Sequence, residues 1–250
     1  MATGCAYFDR REPDGRTLLP VPLAFGSGRV PRRHSDFVAS VERLAPAEIA
    51  MVQGVPCVTA LRAIFDEARR PRDWRESVVS IEMAVAAKLV SLPCLEQYVE
   101  EHATWRRTAR LRRVLRFCVV GARSPEEVRL RLVWEVDAGL PRPLVNTPIY
   151  DLNARHVCTP DLFDPVAGMV VEYDGSAHRK GARHTKDVRR EEDCRRLGLE
   201  YCKITAGDSR LTVVNRLLST RARAKFLPEE SRAWLLKRPV VGELPDFWMV

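Results

Sequence analysis

Residues 159–178, TPDLFDPVAGMVVEYDGSAH, hold two apolar runs with acidic residues at their ends. Asp161 precedes the first run, and Glu172 and Asp174 end the second after a short turn. Because side chains alternate across a β-strand, Glu172 and Asp174 are predicted to share one face, roughly 6–7 Å apart along the strand. A hairpin between the two runs would bring Asp161 alongside them. The sequence thus predicts that three carboxylates gather at one end of two neighbouring strands.

Asp161, Glu172 and Asp174 are therefore candidate ligands of Mg²⁺ (or Mn²⁺), which takes a few carboxylates and keeps several waters. An ion at this place would offset the repulsion that otherwise favours protonation of one carboxyl group. It would also polarise a phosphodiester and activate a bound water. The alternative is that Asp161 and Asp174 are turn residues flanking two ordinary strands, since Asp174 before Gly175 is itself a turn signal.

The chain around this stretch predicts a mixed order of helices and strands. Ser124, Pro125 and Glu127 are typical of a helix start, and Gly139 is typical of a helix end. Four strands are predicted, near 144–150, 156–163, 168–174 and 200–205. A charged helix at about 183–197 separates the last two. This order predicts an α/β (α+β) fold in which helices flank a mixed sheet.

The first 120 residues predict a separate, mainly helical N-terminal domain in which short strands precede the helices. Pro, Gly and Arg are frequent up to about residue 36, and a helical period is predicted from Ala47 onwards. The tail after residue 210 is predicted to begin with a helix. The predicted domains are 1–120, 121–210 and 211–250.

Composition describes a basic globular protein. The chain has 250 residues, of which 46% are hydrophobic and 30% are charged. No apolar run approaches the roughly 20 residues of a membrane helix, so no membrane partner is expected. The seven cysteines include no Cys-x-x-Cys pair. The N-terminal residues show no apolar signal-peptide core, so these cysteines indicate reduced thiols and a cytoplasmic location. Lysine and arginine total 41 against 33 acids, and this net charge of +8 favours a polyanionic partner such as DNA.

The stretch at 159–178 resembles the PD-(D/E)xK nuclease superfamily, with Pro160 and Asp161 as its PD and Glu172 as its (D/E). Residues 124–207 are similar to the very-short-patch-repair-endonuclease-like domains of actinobacterial proteins. The matching segments are SPEEVRLR, TPDLFDPVAGMVVEYDGSAH, KDVRREEDCRRLG and EYCKITAGD. The resemblance implies a restriction-endonuclease-like core with a mixed four-stranded sheet, and it implies metal-dependent cleavage of DNA.

One position departs from the superfamily pattern. The pattern keeps a lysine two residues after the (D/E), and this chain has Asp174 there. In the repair-endonuclease branch a histidine shortly downstream takes part in catalysis, and the resemblance assigns that role to His178. A histidine can act as a general acid or base near neutral pH. Lys180 and Lys186 are further candidates for the displaced cation, and the alternative for His178 is an exposed loop histidine.

Glu127 has two interpretations. The resemblance implies that the first helix of the core points an acidic residue at the metal site, and Glu127 in SPEE matches it. Locally, Ser124 and Glu127 also form a capping box, which needs no metal.

Two groups of arginines are candidates for contact with the DNA backbone. The first group lies within the segment RRTARLRRVLR, residues 106–116, and comprises Arg106, Arg107, Arg110 and Arg113. The second lies on the charged helix and comprises Arg183, Arg189 and Arg190. Arginine holds phosphate bidentately, which favours this interpretation. The alternatives are a helix lying across its own domain and a solvated helix face with Glu–Arg pairs.

The segment LAPAEIAMVQGVPCVTALRAIFDEARR, residues 44–70, resembles the part that follows the winged helix in abortive-infection-type antitoxins. The residues before it are too few for a winged helix, which puts promoter recognition in doubt. The sequence therefore predicts a Mg²⁺-dependent DNA endonuclease acting in DNA repair or phage defence. The alternative is a catalytically inactive, nuclease-like regulator or antitoxin that binds DNA. DNA is the expected partner, and a homodimer is left open.

Overall fold

The chain forms two compact units, Met1–Cys118 and Val119–Val250, of mixed α and β structure. The computed structural model describes residues 6–9, 11, 16–26, 34–71, 73–175 and 182–237, with backbone alone for Ala6 and for residues 182–188. The α+β content predicted from the sequence is confirmed. Within these residues, no helix has both the length and the apolar character needed to cross a membrane.

The N-terminal unit consists of short strands followed by helices. Its strands are β1 (Val21–Ala24), β2 (Phe37–Ser40), β3 (Ile49–Val52) and β4 (Val55–Val58). Its helices are α1 (Ala60–Ala68), α2 (Trp74–Ala86), α3 (Leu92–Glu101) and α4 (Thr108–Leu115). Strands β1 and β2 pair in parallel, and β3 and β4 form an antiparallel hairpin.

The helical period predicted from Ala47 is wrong over residues 49–58, which form the β3–β4 hairpin. Gln53 and Gly54 connect the strands with φ angles of 51° and 80°. A two-residue type I′ turn needs positive φ at both positions, and this turn matches the twist of the strands that it joins. Helix α1 begins only after Thr59, whose Oγ1 accepts a hydrogen bond from Arg62 N at 3.4 Å.

A buried guanidinium group holds the N-terminal unit together. Arg62 is fully buried, and its Nε donates to Asp66 at 2.8 Å while its Nη1 donates to Glu48 at 3.1 Å. The Tyr98 hydroxyl donates to the same Glu48 carboxylate. The guanidinium group also lies 4.7 Å from the centre of the Trp105 ring. This network connects α1 with α3 and with the loop before β3, so its geometry depends on all three.

We expect Arg62→Ala to lower the free energy of unfolding of the N-terminal unit by about 3–5 kcal/mol, because it removes the only guanidinium partner of the buried Glu48 carboxylate among the described residues and one of the two partners of Asp66. Arg70→Ala is the matched control, since Arg70 forms an exposed pair with Glu67 and should cost less than about 1 kcal/mol. Urea unfolding of both variants measures the difference. Equal losses for the two arginines would contradict the central role of Arg62.

The C-terminal unit is a mixed assembly around short strands. Its helices are α5 (Pro125–Leu132), continued by a π-helical turn (Val133–Asp137), α6 (Ala182–Arg196) and α7 (Arg210–Arg223). Its strands are β5 (Leu144–Val145), β6 (Ile149–Asp151), β7 (His156–Cys158), β8 (Leu162–Asp164), β9 (Met169–Asp174), β10 (Glu200–Thr205) and β11 (Trp234–Leu235). A four-stranded mixed sheet has the order β10-β9-β8-β5, and a three-stranded sheet has the order β11-β6-β7.

Two of the predicted strands are each divided into two. The run at 144–150 is interrupted at Asn146, which has a φ of +46°, so β5 and β6 belong to different sheets. The run at 156–163 is interrupted at Pro160, whose ring nitrogen cannot donate to a ladder. The other two predicted strands correspond to β9 and β10. Apolar composition predicted strand character correctly but did not reveal these breaks.

Strand β9 is covered on both faces. On one face Met169 and Val171 pack in a cluster with Trp134 and Leu217, which come from the π-helical turn and α7. On the other face Val170 packs with a second cluster that includes Phe163, Cys194 and Trp234. The alternation predicted for β9 is therefore confirmed. It places Glu172 on the same face as Val170, towards α6.

Candidate functional site

The Glu172 side chain is largely buried on one face of β9 and accepts hydrogen bonds from two side chains. Its side chain is 13% exposed, and Arg190 Nη1 on α6 donates to Oε1 at 2.8 Å. The Tyr201 hydroxyl on β10 donates to Oε2 at 2.6 Å. Burial and this bond to the carboxylate raise the pKa of Tyr201 above its ordinary value. Arg190, predicted as a DNA contact, is thus part of the site itself.

Asp174 forms an ion pair with a lysine on the neighbouring strand. Lys203 Nζ lies 2.8 Å from Asp174 Oδ2. In the parallel ladder between β9 and β10, Lys203 is also the register partner of Glu172. The sequence analysis missed Lys203. Strand alternation in EYCKIT puts Lys203 on the same face as Tyr201, but the register that brings it to Glu172 is a tertiary property.

Asp161 lies just before β8 and contacts the backbone of β9. Its Oδ2 accepts a hydrogen bond from Tyr173 N at 2.7 Å. Burial raises the pKa of the Asp161 carboxyl group from its ordinary 3.8 to about 6. The nearby Glu127 and Glu172 carboxylates act in the same direction, whereas the Tyr173 N–H and Arg123 act in the opposite direction. Three carboxylates therefore interact in one small region.

Glu127 takes part in the helix start that the sequence predicts, with Ser124 as the N-cap residue, but its side chain bonds Arg123 N and not the Ser124 N–H. Ser124 Oγ accepts from Glu127 N at 3.2 Å and donates to Glu127 Oε1 at 3.0 Å. Glu127 Oε2 accepts from Arg123 N at 2.8 Å and from Asn146 Nδ2 at 2.7 Å. The residue is 8% exposed. Its capping role and its position beside Asp161 occur together, so the two interpretations of Glu127 are compatible.

The predicted acidic residues are only partly brought together. Asp161 is close enough to Glu127 and to Glu172 for both to raise its pKa, whereas Asp174 is paired with Lys203. Across the described part of the chain, no three His, Cys, Asp or Glu side chains converge into a ready-made metal cluster.

Several other predicted site residues are described only in part or lie outside the described residues. His178 and Lys180 are outside the described residues. Lys186 and Arg183 belong to α6, but their side chains are not among those described. Arg189 is on the exposed side of the same helix.

The predicted DNA-binding arginines of the N-terminal unit lie on and before α4. This helix buries Leu111, Val114 and Leu115 within the unit, while Arg113 and Arg106 are exposed and Arg110 is half-buried. The α4 helix is therefore amphipathic, with an apolar face towards its own unit and a basic face outside.

Arg107 is exposed, and its guanidinium group donates to the carbonyl groups of Arg69 and Arg70 at 3.2 and 3.4 Å. Arg106 and Arg107 also line a cavity of about 260 Å³ in this unit. The same cavity contains the carboxylates of Glu42 and Asp66, which are paired with Arg69. The cavity is therefore of mixed charge, so it supplies no separate argument for DNA.

The residues around Asp161 fit a hydrated divalent ion better than a fully ligated one. Asn146 Oδ1 is a buried oxygen without a hydrogen-bond partner among the described residues, and the same amide group is bonded to Glu127. Asp161 adds a carboxylate whose pKa is raised by burial and, to a smaller extent, by the Glu127 and Glu172 carboxylates. Mg²⁺ needs one or two carboxylates and fills its other positions with water and neutral oxygens. Asp161 is the carboxylate here that could hold such an ion, since both oxygens of Glu172 already accept hydrogen bonds from Arg190 and Tyr201.

No family model, curated protein or solved structure matches this chain. The geometry of the site is therefore the basis for assigning a function.

We expect Asp161→Asn to stabilise the C-terminal unit at high pH when metal is removed with EDTA. The pKa of Asp161 is raised in the fold, so the stability that this group contributes is complete below about pH 4 and is lost as the pH rises through about 6. Asparagine copies the neutral acid and still accepts the bond from Tyr173 N. The predicted gain at pH 8 is roughly 2 kcal/mol.

Thermal unfolding between pH 4 and pH 8 measures this effect. The difference in Tm between variant and wild type should grow with pH to about 5 °C. A difference that does not change with pH would contradict the position of Asp161 among other carboxylates.

Proposed function

We propose that the chain is a metal-dependent DNA endonuclease, whose active site is formed by Asp161, Glu172 and Lys203. The observation that carries this proposal is geometric: Asp161 precedes β8 and accepts from Tyr173 N on β9, one residue after Glu172, so two carboxylates lie at the same end of the β8–β9 pair. Buried carboxylates that repel one another are unfavourable for stability, and they are common where a protein binds a cation or transfers a proton. The basic net charge of +8 supports a polyanionic substrate.

Each residue of the site has a distinct proposed task. Asp161 and Glu172 bind Mg²⁺ or Mn²⁺, which supplies a polarised phosphodiester and an activated water when bound. Glu127 keeps Asp161 in an anionic environment and fixes the start of α5. Arg190 compensates the charge of Glu172 through its hydrogen bond at 2.8 Å. His178 stays the sequence-based candidate for proton transfer.

Lys203 takes the place of the lysine that the superfamily pattern keeps two residues after Glu172. Asp174 occupies that position here, and it holds the Lys203 ammonium group at 2.8 Å. Because Lys203 and Glu172 are register partners, the ammonium group lies on the strand next to Glu172. The acidic replacement therefore attracts a cation from β10 to the same end of the sheet. An ammonium group there stabilises negative charge that develops on the phosphate.

One observation favours the second candidate function, a nuclease-like regulator without catalysis that binds DNA. Both oxygens of Glu172 have protein donors, and Asp174 is neutralised by Lys203. A site with its charges satisfied in this way is stable without metal. The two functions differ in metal uptake, since the regulator binds DNA without Mg²⁺ or Mn²⁺.

We expect the purified chain to cut plasmid DNA in Mg²⁺ or Mn²⁺, and Asp161→Asn, Glu172→Gln and Lys203→Met each to lower the rate at least about a hundredfold. Loss of a metal ligand removes the charge that holds the ion, and loss of Lys203 removes the cation next to the phosphate. Gel analysis of nicked and linear products measures the rates.

Glu230→Gln is the matched control, because Glu230 is exposed in the 3₁₀ helix Glu229–Ser231. It should cut at the wild-type rate. The proposal fails if the wild type does not cut, or if the Asp161 and Glu172 variants cut as fast as the control. Binding of DNA by a wild type that takes up no metal would support the regulator instead.

The basic face of α4 should supply part of the affinity for DNA. We expect a double variant, Arg106→Ala with Arg113→Ala, to weaken binding of a duplex oligonucleotide uniformly across sequences. Each lost phosphate contact should lower the slope of log K against log salt by about 0.9. Fluorescence anisotropy at several salt concentrations gives the slope.

Glu96→Gln with Glu101→Gln, on α3, is a control for a change of two surface charges. It should leave the salt slope as it is. An unchanged slope in the arginine variant would assign DNA binding to another surface.

A further inference from the structure

Two cysteine thiols meet inside the C-terminal unit. Cys158 ends β7, and Cys194 lies near the end of α6, 36 positions further along the chain. Their sulfur atoms are 3.5 Å apart. Both residues are buried, with exposed fractions of 1% and 0%. The packing of α6 against β7 therefore brings together two thiols that are distant in the sequence.

The thiols belong to an apolar cluster that joins the two sheets of this unit. The cluster contains Phe163 and Val170 from the four-stranded sheet and Trp234 from the three-stranded sheet. In the ladder between β6 and β7, Cys158 is also the register partner of Ile149. The separation of the two sulfurs is thus set by elements that are packed on several sides.

A disulfide bond between these sulfurs requires a small adjustment. An S–S bond is about 2.05 Å long, so the two sulfurs have to approach one another by about 1.5 Å. Rotation about the two Cα–Cβ bonds moves the sulfurs by distances of this size. Cys202 differs from this pair, because it is equally buried but its thiol bonds to Thr220.

Both cysteines are free thiols in the structure. The hydrogen bond with Cys158 and burial raise the pKa of the Cys194 thiol above its ordinary value. The thiolate is the form that attacks a disulfide, so the closed structure protects the pair from reaction. Oxidation therefore takes place when α6 opens locally from β7, or while the chain folds.

We propose that Cys158 and Cys194 form a disulfide bond by exchange with a low-molecular-weight disulfide such as glutathione disulfide. One protein thiolate attacks the small disulfide, which forms a mixed disulfide and releases one glutathione thiol. The second protein thiolate then attacks the protein sulfur of the mixed disulfide and releases the other glutathione thiol. The protein loses two electrons and two protons, and glutathione disulfide is reduced to two thiols.

Burial favours the bridge over the mixed disulfide. A glutathione tripeptide attached to either cysteine would have to displace α6 or β7, because neither residue has room at the surface. The bridge adds no atoms to the core. It also closes a loop of 36 residues, which restricts the unfolded chain and so stabilises the fold. We therefore expect the oxidised form to be more stable than the dithiol.

The bridge would fasten α6 beside Glu172. Arg190 lies one helical turn before Cys194, on the same side of α6, and donates to Glu172. The charges of Glu172 and Arg190 both act on the Cys194 thiol, so the thiol pair is a close neighbour of the candidate site. The bridge restrains the contact between Arg190 and Glu172. This inference does not rest on the proposed function.

Refolding of the full chain from urea, with and without a mixture of reduced and oxidised glutathione, tests the inference. Remaining thiols are blocked by alkylation, and trypsin then releases the peptides 156–179 and 191–195, each of which contains one cysteine. Mass spectrometry should find these two peptides joined and two hydrogen atoms lighter than their sum. The Tm should be at least about 5 °C higher than that of a sample reduced with dithiothreitol.

Cys202→Ala is the matched control, because Cys202 is a buried thiol of the same unit. This variant should keep the joined peptides and the rise in Tm, whereas Cys158→Ala and Cys194→Ala should each lose the rise. The peptides of the wild type keep the test decisive if an alanine variant fails to fold.

Three results would overturn the inference: alkylated, separate peptides from the oxidised wild type, glutathione retained on either peptide, or a Tm that oxidation does not raise. None of these measurements uses DNA or a metal ion. Their outcome is therefore independent of the test for nuclease activity.

Discussion

The charge on Glu172 is the constraint around which the C-terminal unit is organised. Strand β9 is covered on both faces, so a carboxylate near its end has little access to water and needs a positive partner. Arg190 on α6 and Tyr201 on β10 meet this need. The parallel pairing of β9 with β10 is therefore both a structural and an electrostatic requirement. It fixes where α6 can lie against the sheet.

The buried carboxylates of the two units have different hydrogen-bond partners. In the N-terminal unit, each of the Glu42, Glu48 and Asp66 carboxylates contacts a guanidinium group of Arg62 or Arg69, so the network serves stability. In the C-terminal unit, Asp161 accepts a hydrogen bond from a backbone N–H, and burial raises its pKa, with the Glu127 and Glu172 carboxylates acting in the same direction. An incompletely compensated cluster is less stable by itself and is suited to binding a cation. This contrast agrees with the proposal that the functional site lies in the C-terminal unit.

Local patterns predicted the features that depend on neighbouring residues. Ser124 caps the helix as its spacing predicts, because a helix start involves contacts within one turn, although the Glu127 side chain accepts from Arg123 N and not from the Ser124 N–H of a full capping box. The alternation of β9 and the strand at 200–205 were also predicted correctly. Prediction failed at 49–58, where the same apolar spacing fits a helix or a hairpin. There the turn at Gln53 and Gly54 decided between the two.

The sequence by itself determined which residues have strand or helix character, and that acidic residues occur at the strand ends near Asp161 and Glu172. Only the tertiary structure decided which charges meet. Lys203 and Asn146 are distant in sequence from the residues that they contact, and strand register sets those contacts. Register is a property of two strands together, because it depends on side-chain packing across the sheet and on the breaks at Asn146 and Pro160. No single segment of the sequence contains that information.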